Sequence, residues 1–481
     1  MTQPGTSQHA DDDDARILGS LGRIVGDRHV IADAAGRAGF DTDWRGMFAG
    51  RSLAVVAPAD AAQLADVVRL CAARRLAIVP QGGNTGLCGG ATPDASGRQI
   101  VVTLRRMTGL RHLDPEDAVM ICDAGVPLAA AQEHAADAGL LLPIAIASAG
   151  SATVGGAIAT NAGGVNVLHY GSMRRCVMGV EAVLADGTVW SDLGGLHKDN
   201  TGFDLSALLA GSEGTLGIIT AAALALAPRP SRHLTFLAGL PDLVRANAAL
   251  AALRARTGEA ITAWEVFSAT SADLLHAEGP RLSLPLARPH PWYLLGEVSL
   301  FGPGDAREER AFEDLAAVLE NAGIDDVTPA ASGSQRQALW ALREGITEAE
   351  RAVGPSLKHD IAVRPSRIAA LATHLADECR RLDPRLRVNI FGHMGDGNLH
   401  VNALPLVRDT ALPVALAEAV TRMIHDATHA AGGSFSAEHG VGQLKRAEMR
   451  RYKDASALRV MQRIKTALDP DGVFNPGKVL P

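Results

Sequence analysis

Two histidines flank a glycine-rich centre in the stretch FGHMGDGNLHVN. An Asp-Gly pair between two strand-like runs is a strong hairpin signal, so Asp396-Gly397 predicts a two-residue turn. In that register His393 lies opposite His400 on one face of the sheet, with the two Cβ atoms roughly 5 Å apart. Side chains alternate along a strand, so Asn402 shares the face of His400. Two imidazoles at this separation can bind one metal ion.

A third metal ligand is available in GGSFSAEHGVGQLKR, where Glu438 and His439 are neighbours. The glycines that follow permit a turn in which both side chains enter one pocket. Two histidines and one glutamate with an open position are typical of catalytic zinc, although Mn, Co or Fe also suit such ligands. A structural role is the alternative: the histidines then form a cross-strand pair and Glu438 caps the following helix.

Candidate anion-binding residues lie upstream of the hairpin. Arg343 and Thr347 are four apart in a helical pattern and therefore share a face. Lys358 follows in the strand-like stretch SLKHDIAV, in a chain where lysine is rare beside arginine. Arginine offers a planar fork to a carboxylate and lysine a point charge. The alternative is that these charges are ordinary solvated surface.

Three glycine clusters precede residue 228, at residues 79–90, 147–172 and 208–220. Backbone N–H groups can converge on a pyrophosphate where side chains are absent, and these clusters are also rich in Ser, Thr and Asn. None is a Walker A loop, because no lysine follows at the required spacing, and none has the full Rossmann context. Ordinary turns are the alternative, but three clusters together favour a phosphate-bearing cofactor.

The secondary-structure elements that must position these residues are predicted to be a mixture of strands and helices. Short strands and helices alternate from about residue 51 to the proline pair of APRPS, Pro228 and Pro230, which predicts a boundary. Longer helical patterns and further strands follow, and the chain from about residue 415 is helical apart from the loop at 432–442.

Composition restricts the class of protein. The chain has 481 residues, 47% hydrophobic and 21% charged, which predicts two or three globular domains. A net charge of -7 without a basic cluster argues against nucleic acid. The five cysteines include no C-x-x-C pair, which argues against a disulfide framework or an iron–sulfur cluster. No apolar run reaches the ~20 residues of a membrane span, and the acidic leader MTQPGTSQHADDDDA is expected to be disordered rather than a secretory signal.

In order along the chain, the three clusters resemble the motifs of the flavoproteins related to vanillyl-alcohol oxidase and p-cresol methylhydroxylase. HKDNTGFDLSALLAGSEGTLGIIT and LDPDGVFNPGKVL resemble the branch of D-2-hydroxyglutarate dehydrogenase, D-lactate dehydrogenase and the flavin subunit of glycolate oxidase. The resemblance implies an α+β fold with a two-subdomain, PCMH-type FAD-binding domain and a cap domain with an antiparallel sheet. The expected division is a leader and first helix at 1–45, the FAD domain at 46–228, the cap at 229–430 and a C-terminal segment at 431–481, which completes the active site and returns to the FAD domain.

The resemblance also implies which residues bind FAD. The first loop is expected to wrap the pyrophosphate, the second to line the cofactor, and the third to hold its adenine or ribityl region. The first loop carries Asn84 and no histidine, so the flavin is expected to be non-covalent. The expected FAD contacts are Pro80, Gly82, Gly83, Asn84, Thr85, Gly86, Ser148, Gly150, Ser151, Thr153, Gly155, Gly156, Asn161, Gly163, Gly164, Gly214, Ile218, Ile219 and Asn475.

In the hydroxyglutarate branch the matching residues bind metal and substrate. By this resemblance His393, His400 and Glu438 hold a divalent metal, with zinc the expected ion, and His439 is the general base that also contacts substrate. Arg343, Thr347, Lys358 and Asn402 are expected to bind the carboxyl groups.

The expected activity is therefore FAD- and metal-dependent oxidation of a D-2-hydroxy acid, with D-2-hydroxyglutarate the first choice and D-lactate or D-malate alternatives. Two other classes remain open. One is an alkyl-transferase like the alkylglycerone-phosphate synthases, which carry a run of histidines where this chain has SAEHGVG. The other is a metal hydrolase without flavin.

The expected partners follow from the same resemblance. A separate acceptor such as electron-transfer flavoprotein or a quinone is expected to take the electrons, because no nicotinamide motif or iron–sulfur cysteines are present. A homodimer without nucleic acid or a membrane span is expected, in the cytoplasm.

Overall fold

A computed structural model describes residues 5–257, 260–279, 284–302 and 304–481. The chain divides into two compact units that interleave along the sequence. The first takes in the described parts of Met1–Ala162, Ser172–Pro228 and His439–Pro481, and the second those of Gly163–Gly171 and Arg229–Glu438.

The α-helices occur in both units and range from four to 21 residues in length. They are α1 Gly5–Val25, α2 Ala34–Asp41, α3 Ala61–Ala73, α4 Leu128–Asp137, α5 Val154–Ala159, α6 Val167–Tyr170, α7 Met173–Cys176, α8 Leu205–Leu209, α9 Leu243–Thr257, α10 Ala269–Glu278, α11 Asp305–Asn321, α12 Gly333–Val353, α13 Ile368–Leu382, α14 Val414–Ala430, α15 Arg446–Tyr452 and α16 Ala455–Leu468.

The strands form separate sheets in the two units. They are β1 Val30–Ile31, β2 Ala54–Val56, β3 Ala77–Gln81, β4 Gln99–Thr103, β5 Leu110–Asp114, β6 Val119–Asp123, β7 Leu140–Leu141, β8 Val177–Val183, β9 Val189–Ser191, β10 Ile218–Ala225, β11 Ala227–Pro228, β12 Arg232–Leu240, β13 Ile261–Ser268, β14 Trp292–Leu300, β15 Val327–Pro329, β16 Leu357–Ala362, β17 Val388–His393 and β18 Asn398–Ala403.

The first unit contains two main sheets. One is mixed, with strand order β1-β2-β4-β3, and the other is antiparallel, with order β5-β6-β10-β8-β9. Helix α3 follows from its sequence: Asp60 caps its first turn by accepting the Gln63 N–H, and Leu64, Val68 and Cys71 form its buried face. Together with a small β7–β11 pair, these elements enclose a main hydrophobic core, and Val55, Val79 and Val101 form a second, smaller cluster.

The N-terminal leader departs from the sequence-based expectation. Residues 5–15 belong to helix α1, so the predicted disorder is wrong there, and residues 1–4 lie outside the described part. The cause lies further along the helix, where Ile17, Leu21 and Val25 are buried in the core of the first unit. Burial of this apolar face stabilises a helix that the acidic start alone does not predict.

The second unit is built on a seven-stranded sheet of order β15-β12-β14-β13-β17-β18-β16, in which every pairing is antiparallel. The predicted α+β class with an antiparallel cap sheet is confirmed. One face of this sheet packs on α9, α11, α13 and α14, and part of the other packs on α10 and α12.

The predicted two-residue turn of the histidine hairpin is wrong. Phe391, not His393, pairs with His400, and the loop spans residues 394–397, closed by the Gly397 N–H donating to the His393 carbonyl at 3.1 Å. The Val363 N–H donates to the Gly397 carbonyl, and a Cβ on Gly397 would lie 2.0 Å from the Val363 carbonyl oxygen. This long-range contact shapes a longer loop than the Asp-Gly signal predicts.

In the described part of the chain, no helix combines the length and apolar character that crossing a membrane requires.

Candidate active site

The two hairpin histidines share one face of the sheet despite the changed register. A shift of two residues restores the same face because side chains alternate with period two. The His393 and His400 ring centroids are 5.7 Å apart. The Glu438 carboxylate lies beside both rings: Oε2 is 3.9 Å from His393 Nε2, and Oε1 is 3.6 Å from His400 Nε2.

These distances fit a metal ion. Ligand atoms of a tetrahedral zinc site with bonds of about 2.1 Å lie about 3.4 Å apart, so small adjustments would let the two nitrogens and the carboxylate share one ion. Asp360, His400 and Glu438 also offer ligand atoms within 4.8 Å of one another, so Asp360 is a further candidate ligand. The donor set is N/O in character and suits Zn, Mn, Co or Fe.

His393 is oriented by a buried glutamate that the sequence analysis did not identify. Glu265 of β13 accepts a hydrogen bond from His393 Nδ1 at 2.7 Å, which leaves Nε2 for a metal. Burial raises the pKa of Glu265, but its interactions with His393 and Arg343 more than offset this, and the net shift is downward. A metal-binding histidine commonly has such a partner.

Asp360 of β16 fixes the segment that carries Glu438. Its Oδ2 accepts the backbone N–H groups of Ala437 at 3.1 Å and Glu438 at 3.0 Å, and its Oδ1 accepts Asn398 Nδ2 at 2.9 Å. Asp360 also lies opposite His400, with Oδ1 3.8 Å from Nδ1. The Glu438 carboxylate in turn accepts the Gly164 N–H at 3.1 Å, so Gly164, a predicted FAD contact, binds Glu438 here.

Arg343 is buried and held in place from two sides. Its Nε donates to Glu265 Oε2 at 2.9 Å, and its guanidinium carbon lies 4.9 Å above the Phe391 ring. Thr347 is exposed one turn later on α12. Glu265 therefore links a predicted metal ligand to a predicted substrate-binding arginine.

Lys358 and Asn402 are linked through a second buried glutamate. Lys358 Nζ donates to Glu350 Oε1 at 2.6 Å, and Asn402 Nδ2 donates to Glu350 Oε2 at 2.9 Å. Lys358 lies opposite Asn402 on the neighbouring strand. His439 follows Glu438 directly in the chain and opens the last segment of the first unit.

Asp396, interpreted from the sequence only as a turn residue, has an unusual ionisation. Burial raises the pKa of its carboxyl group to about 7. Its Oδ1 accepts the Asn398 N–H at 3.1 Å, which favours the charged form and partly opposes the shift.

The predicted FAD loops lie in the first unit, apart from Gly163 and Gly164. The first and second loops approach closely: a Cβ on Gly83 would lie 1.8 Å from the Ser151 carbonyl oxygen. The third loop meets the first, because a Cβ on Gly214 would lie 2.9 Å from the Pro80 ring. Thr153 caps the N-terminus of α5 by accepting the Gly156 N–H. Helix N-termini in general can bind anions.

Several of the predicted FAD contacts already have structural roles. Asn84 donates to the carbonyls of Gly39 and Thr42, Asn161 accepts the Arg174 N–H, and Ile218 and Ile219 are core residues of β10. Asn84, Asn161 and Asn475 all have positive φ, close to 50°. Asparagine tolerates this left-handed conformation better than most residues.

The first unit nevertheless has features that fit a bound dinucleotide. Cβ atoms on Gly86 and Gly150 would meet no atom within 4 Å in the described structure, so both loops border open space. The Asn475 Oδ1 is buried and has no hydrogen-bond partner among the described residues. A buried oxygen without a hydrogen-bond donor is energetically unfavourable, and a donor group on a bound ligand would satisfy it.

Four site residues were missed from the sequence: Glu265, Glu350, Asp360 and Asp396. Glu350 is seven residues after Arg343, so helical spacing places both on the same face. Asp360 is two residues after Lys358 on a strand, so these two side chains also share a face. Glu265 is a lone acid in the apolar stretch ITAWEVFS. Acids at such buried positions signal a partner of opposite charge.

Comparisons with known proteins agree with the two-part architecture. Residues 52–192 match the family model described as FAD binding domain, and residues 229–479 match the model described as FAD linked oxidases, C-terminal domain. The fold is similar to a solved structure of p-cresol methylhydroxylase with substrate bound, with a TM-score of 0.75, 17% identity and 96% of each chain covered.

Sequence relatives extend over almost the whole chain. The mitochondrial D-2-hydroxyglutarate dehydrogenase of Bos taurus is 37% identical over 469 residues, which cover 96% of this chain and 83% of that protein. The D-2-hydroxyglutarate dehydrogenase of Xanthomonas citri pv. viticola is 35% identical over 468 residues, covering 97% of each.

The expectation of a cytoplasmic protein is wrong on these comparisons. The bovine relative is a mitochondrial protein by name, as are relatives from Rattus norvegicus and Arabidopsis thaliana. Cysteine content and the lack of an apolar run do not report on this kind of compartment.

Proposed function

The chain belongs to the FAD-linked oxidases, in the family of D-2-hydroxyglutarate dehydrogenase, and we propose that it oxidises D-2-hydroxyglutarate with the help of a divalent metal. The observation that carries this proposal is the combination of a two-His, one-Glu cluster with a buried arginine, both tied to Glu265. A hydroxy acid with two carboxylates would use both the proposed metal ligands and the proposed cationic donors.

Each group has a distinct proposed task. His393, His400 and Glu438 would hold the divalent ion, which would supply a Lewis acid, and bound FAD would supply a hydride acceptor. Arg343, with Thr347 and Lys358, binds the distal carboxylate.

The remaining groups act on the reacting end of the substrate. Asn402 donates its second amide hydrogen to the α-carboxylate, and His439 accepts the hydroxyl proton as general base. The partner that removes the electrons is a separate acceptor such as electron-transfer flavoprotein or a quinone, and the assembly proposed is a homodimer with non-covalent FAD.

Anaerobic flavin reduction tests the activity. We expect purified protein loaded with FAD and zinc to lose its yellow colour when D-2-hydroxyglutarate is added, and to respond less to D-lactate or D-malate. Failure of all three acids to reduce the flavin would contradict the proposal, and a better response to D-lactate would move the substrate to the monocarboxylic alternative.

Removal of the metal tests the cluster. Chelation should abolish substrate-dependent reduction while FAD stays bound, and added Zn²⁺, Mn²⁺ or Co²⁺ should restore it. His400→Ala should lose bound metal, measured by elemental analysis, whereas the exposed control His374→Ala should keep it. Full activity in metal-free protein would exclude this role.

A further inference from the structure

Three polar side chains form a row across neighbouring strands of the second unit. Asn389 of β17 lies opposite Asn402 of β18, which lies opposite Lys358 of β16. Opposed residues on adjacent strands share a face of the sheet, so all three point the same way. One carboxylate, that of Glu350, meets the whole row.

Glu350 lies at the C-terminal end of helix α12 and is fully buried. Its Oε1 accepts hydrogen bonds from Lys358 Nζ at 2.6 Å and from the Ser356 hydroxyl. Its Oε2 accepts Asn389 Nδ2 and Asn402 Nδ2, both at 2.9 Å. Burial opposes its charge, but Lys358 and these hydrogen bonds lower the pKa, so the carboxylate is ionised at neutral pH.

The two asparagines of the row are also held by groups other than Glu350. Asn389 Oδ1 accepts the Ser271 hydroxyl at 2.5 Å, and Asn402 Oδ1 accepts the His359 N–H at 3.3 Å. The orientation of each amide is therefore determined, because oxygen and nitrogen have different partners. With four donors on its two oxygens, Glu350 has little capacity left for a ligand.

Lys358 and Asn402, by contrast, keep donors to spare. Lys358 carries three N–H groups and gives one to Glu350, and Asn402 gives one of its two amide hydrogens. The remaining hydrogens have no protein acceptor in the described ranges of the chain. Lys358 is also about one-third exposed at its side chain, so these donors can reach a ligand.

We infer that Glu350 is a positioning residue that presents Lys358 and Asn402 to the carboxylate groups of a dicarboxylic substrate, an inference that rests on the proposed function. It acts through these two side chains and does not touch the substrate itself. Helix α12 carries two of the proposed carboxylate-binding donors, Arg343 and Thr347, and contacts the other two through Glu350. Substrate affinity, rather than the rate of the chemical step, therefore depends on Glu350.

Glu350→Gln removes the carboxylate that holds Lys358 and Asn402 but leaves both donor side chains in the protein. The new amide nitrogen cannot accept a hydrogen bond, so one pair of donors loses its partner and Lys358 loses its counter-ion. We expect the KM for D-2-hydroxyglutarate to rise about tenfold with a small change in kcat. The exposed neighbour Glu348→Gln, on the same helix, should leave both constants unchanged.

A double-mutant cycle distinguishes positioning from a merely structural role. Binding of glutarate, an unreactive dicarboxylate, to the FAD- and zinc-loaded protein is measured by calorimetry for wild type, Glu350→Gln, Lys358→Met and the double variant. If Glu350 acts through Lys358, the loss caused by Glu350→Gln becomes several-fold smaller once Lys358 is Met. An equal loss in both backgrounds would overturn the inference.

Glu350→Asp serves if the glutamine variant does not fold, because it keeps the charge but withdraws the carboxylate from part of the row. It should bind glutarate more weakly than wild type, and unchanged binding by a folded aspartate variant would also overturn the inference. A wild-type protein that binds no glutarate and whose flavin is not reduced would overturn the proposed function together with it. Normal wild-type binding with no effect at Glu350 would reject the positioning role alone.

Discussion

At the scale of single residues, the candidate site is organised by two buried glutamates. Glu265 binds both Arg343 and His393, and Glu350 binds both Lys358 and Asn402. A buried charge without a partner is costly, so each carboxylate and its cation stabilise one another only while both are present. The pairing also fixes side chains that would otherwise sample many rotamers in solvent.

Replacing Arg343 tests whether this residue binds the distal carboxylate of the substrate. Arg343→Ala should lower kcat/KM about 100-fold for D-2-hydroxyglutarate and much less for D-lactate, because charge-assisted hydrogen bonds to a carboxylate contribute roughly 1.5–3 kcal/mol. Steady-state kinetics on both acids provide the measurement, with the exposed Arg351→Ala of the same helix as control. Equal losses for the two acids would show that Arg343 does not read the distal group.

At the scale of elements, the histidine hairpin shows why face is easier to predict than register. The sequence places His393 and His400 on one face, and they are there, but the pairing differs by two residues. A change of two preserves the face, whereas a change of one would have put the rings on opposite sides. The loop is set by its contact with Val363, which is distant in the sequence.

The N-terminal half of helix α12 is fixed to the sheet by Glu297 of β14. Its carboxylate accepts Arg336 Nε at 2.7 Å, Trp340 Nε1 at 2.9 Å and the Thr235 hydroxyl at 2.6 Å. Burial opposes its charge, but His233, Arg336 and Thr235 hold the pKa of Glu297 far below its ordinary value of 4.5. A carboxyl with a depressed pKa contributes stability above its unfolded pKa and loses that contribution as pH falls towards the folded one.

Glu297→Gln should therefore destabilise the protein in a pH-dependent manner. At pH 7 the free energy of unfolding should fall by roughly 3 kcal/mol, because Arg336 loses its buried counter-ion and the network loses one of its two acceptor oxygens. Below about pH 4.5 wild type loses its advantage, and the two proteins should converge. Denaturant unfolding at several pH values measures this, with exposed Glu344→Gln as control. A difference that stays constant with pH would contradict this account.

At the scale of the whole molecule, each unit is assembled from distant parts of the chain. In the first unit the Ile78 N–H donates to the Val473 carbonyl, and the Asn475 N–H donates back to the Ile78 carbonyl. Phe474, between these two residues, is fully buried in the core. The C-terminal segment therefore belongs to the folding unit that carries the glycine loops.

Shortening Phe474 tests that dependence. Phe474→Ala should lower the free energy of unfolding by about 3–5 kcal/mol, since a large cavity replaces a buried ring. The variant should release FAD at a lower temperature, measured by flavin fluorescence during heating. Val460→Ala, about half exposed on α16, should behave like wild type. Similar release temperatures for wild type and Phe474→Ala would argue against a C-terminal role in this core.

The amino-acid sequence by itself determined the types of chemistry available and the class of fold. Period-two alternation assigned a face to His393, His400 and Asn402, and helical spacing did the same for Arg343 and Thr347. These are local properties of the chain. The glycine clusters and closing motif likewise indicated a flavoprotein of this family without any knowledge of contacts.

Tertiary structure alone decided which charges meet. Glu265 is 78 residues from Arg343 and 128 from His393, and no local pattern predicts that one carboxylate binds both. The loop of the histidine hairpin and the helical leader also depend on distant contacts, with Val363 and with the core around Ile17. Local spacing selects a face, but burial and long-range pairing select the partner, because a buried charge must find its counter-charge wherever the fold places it.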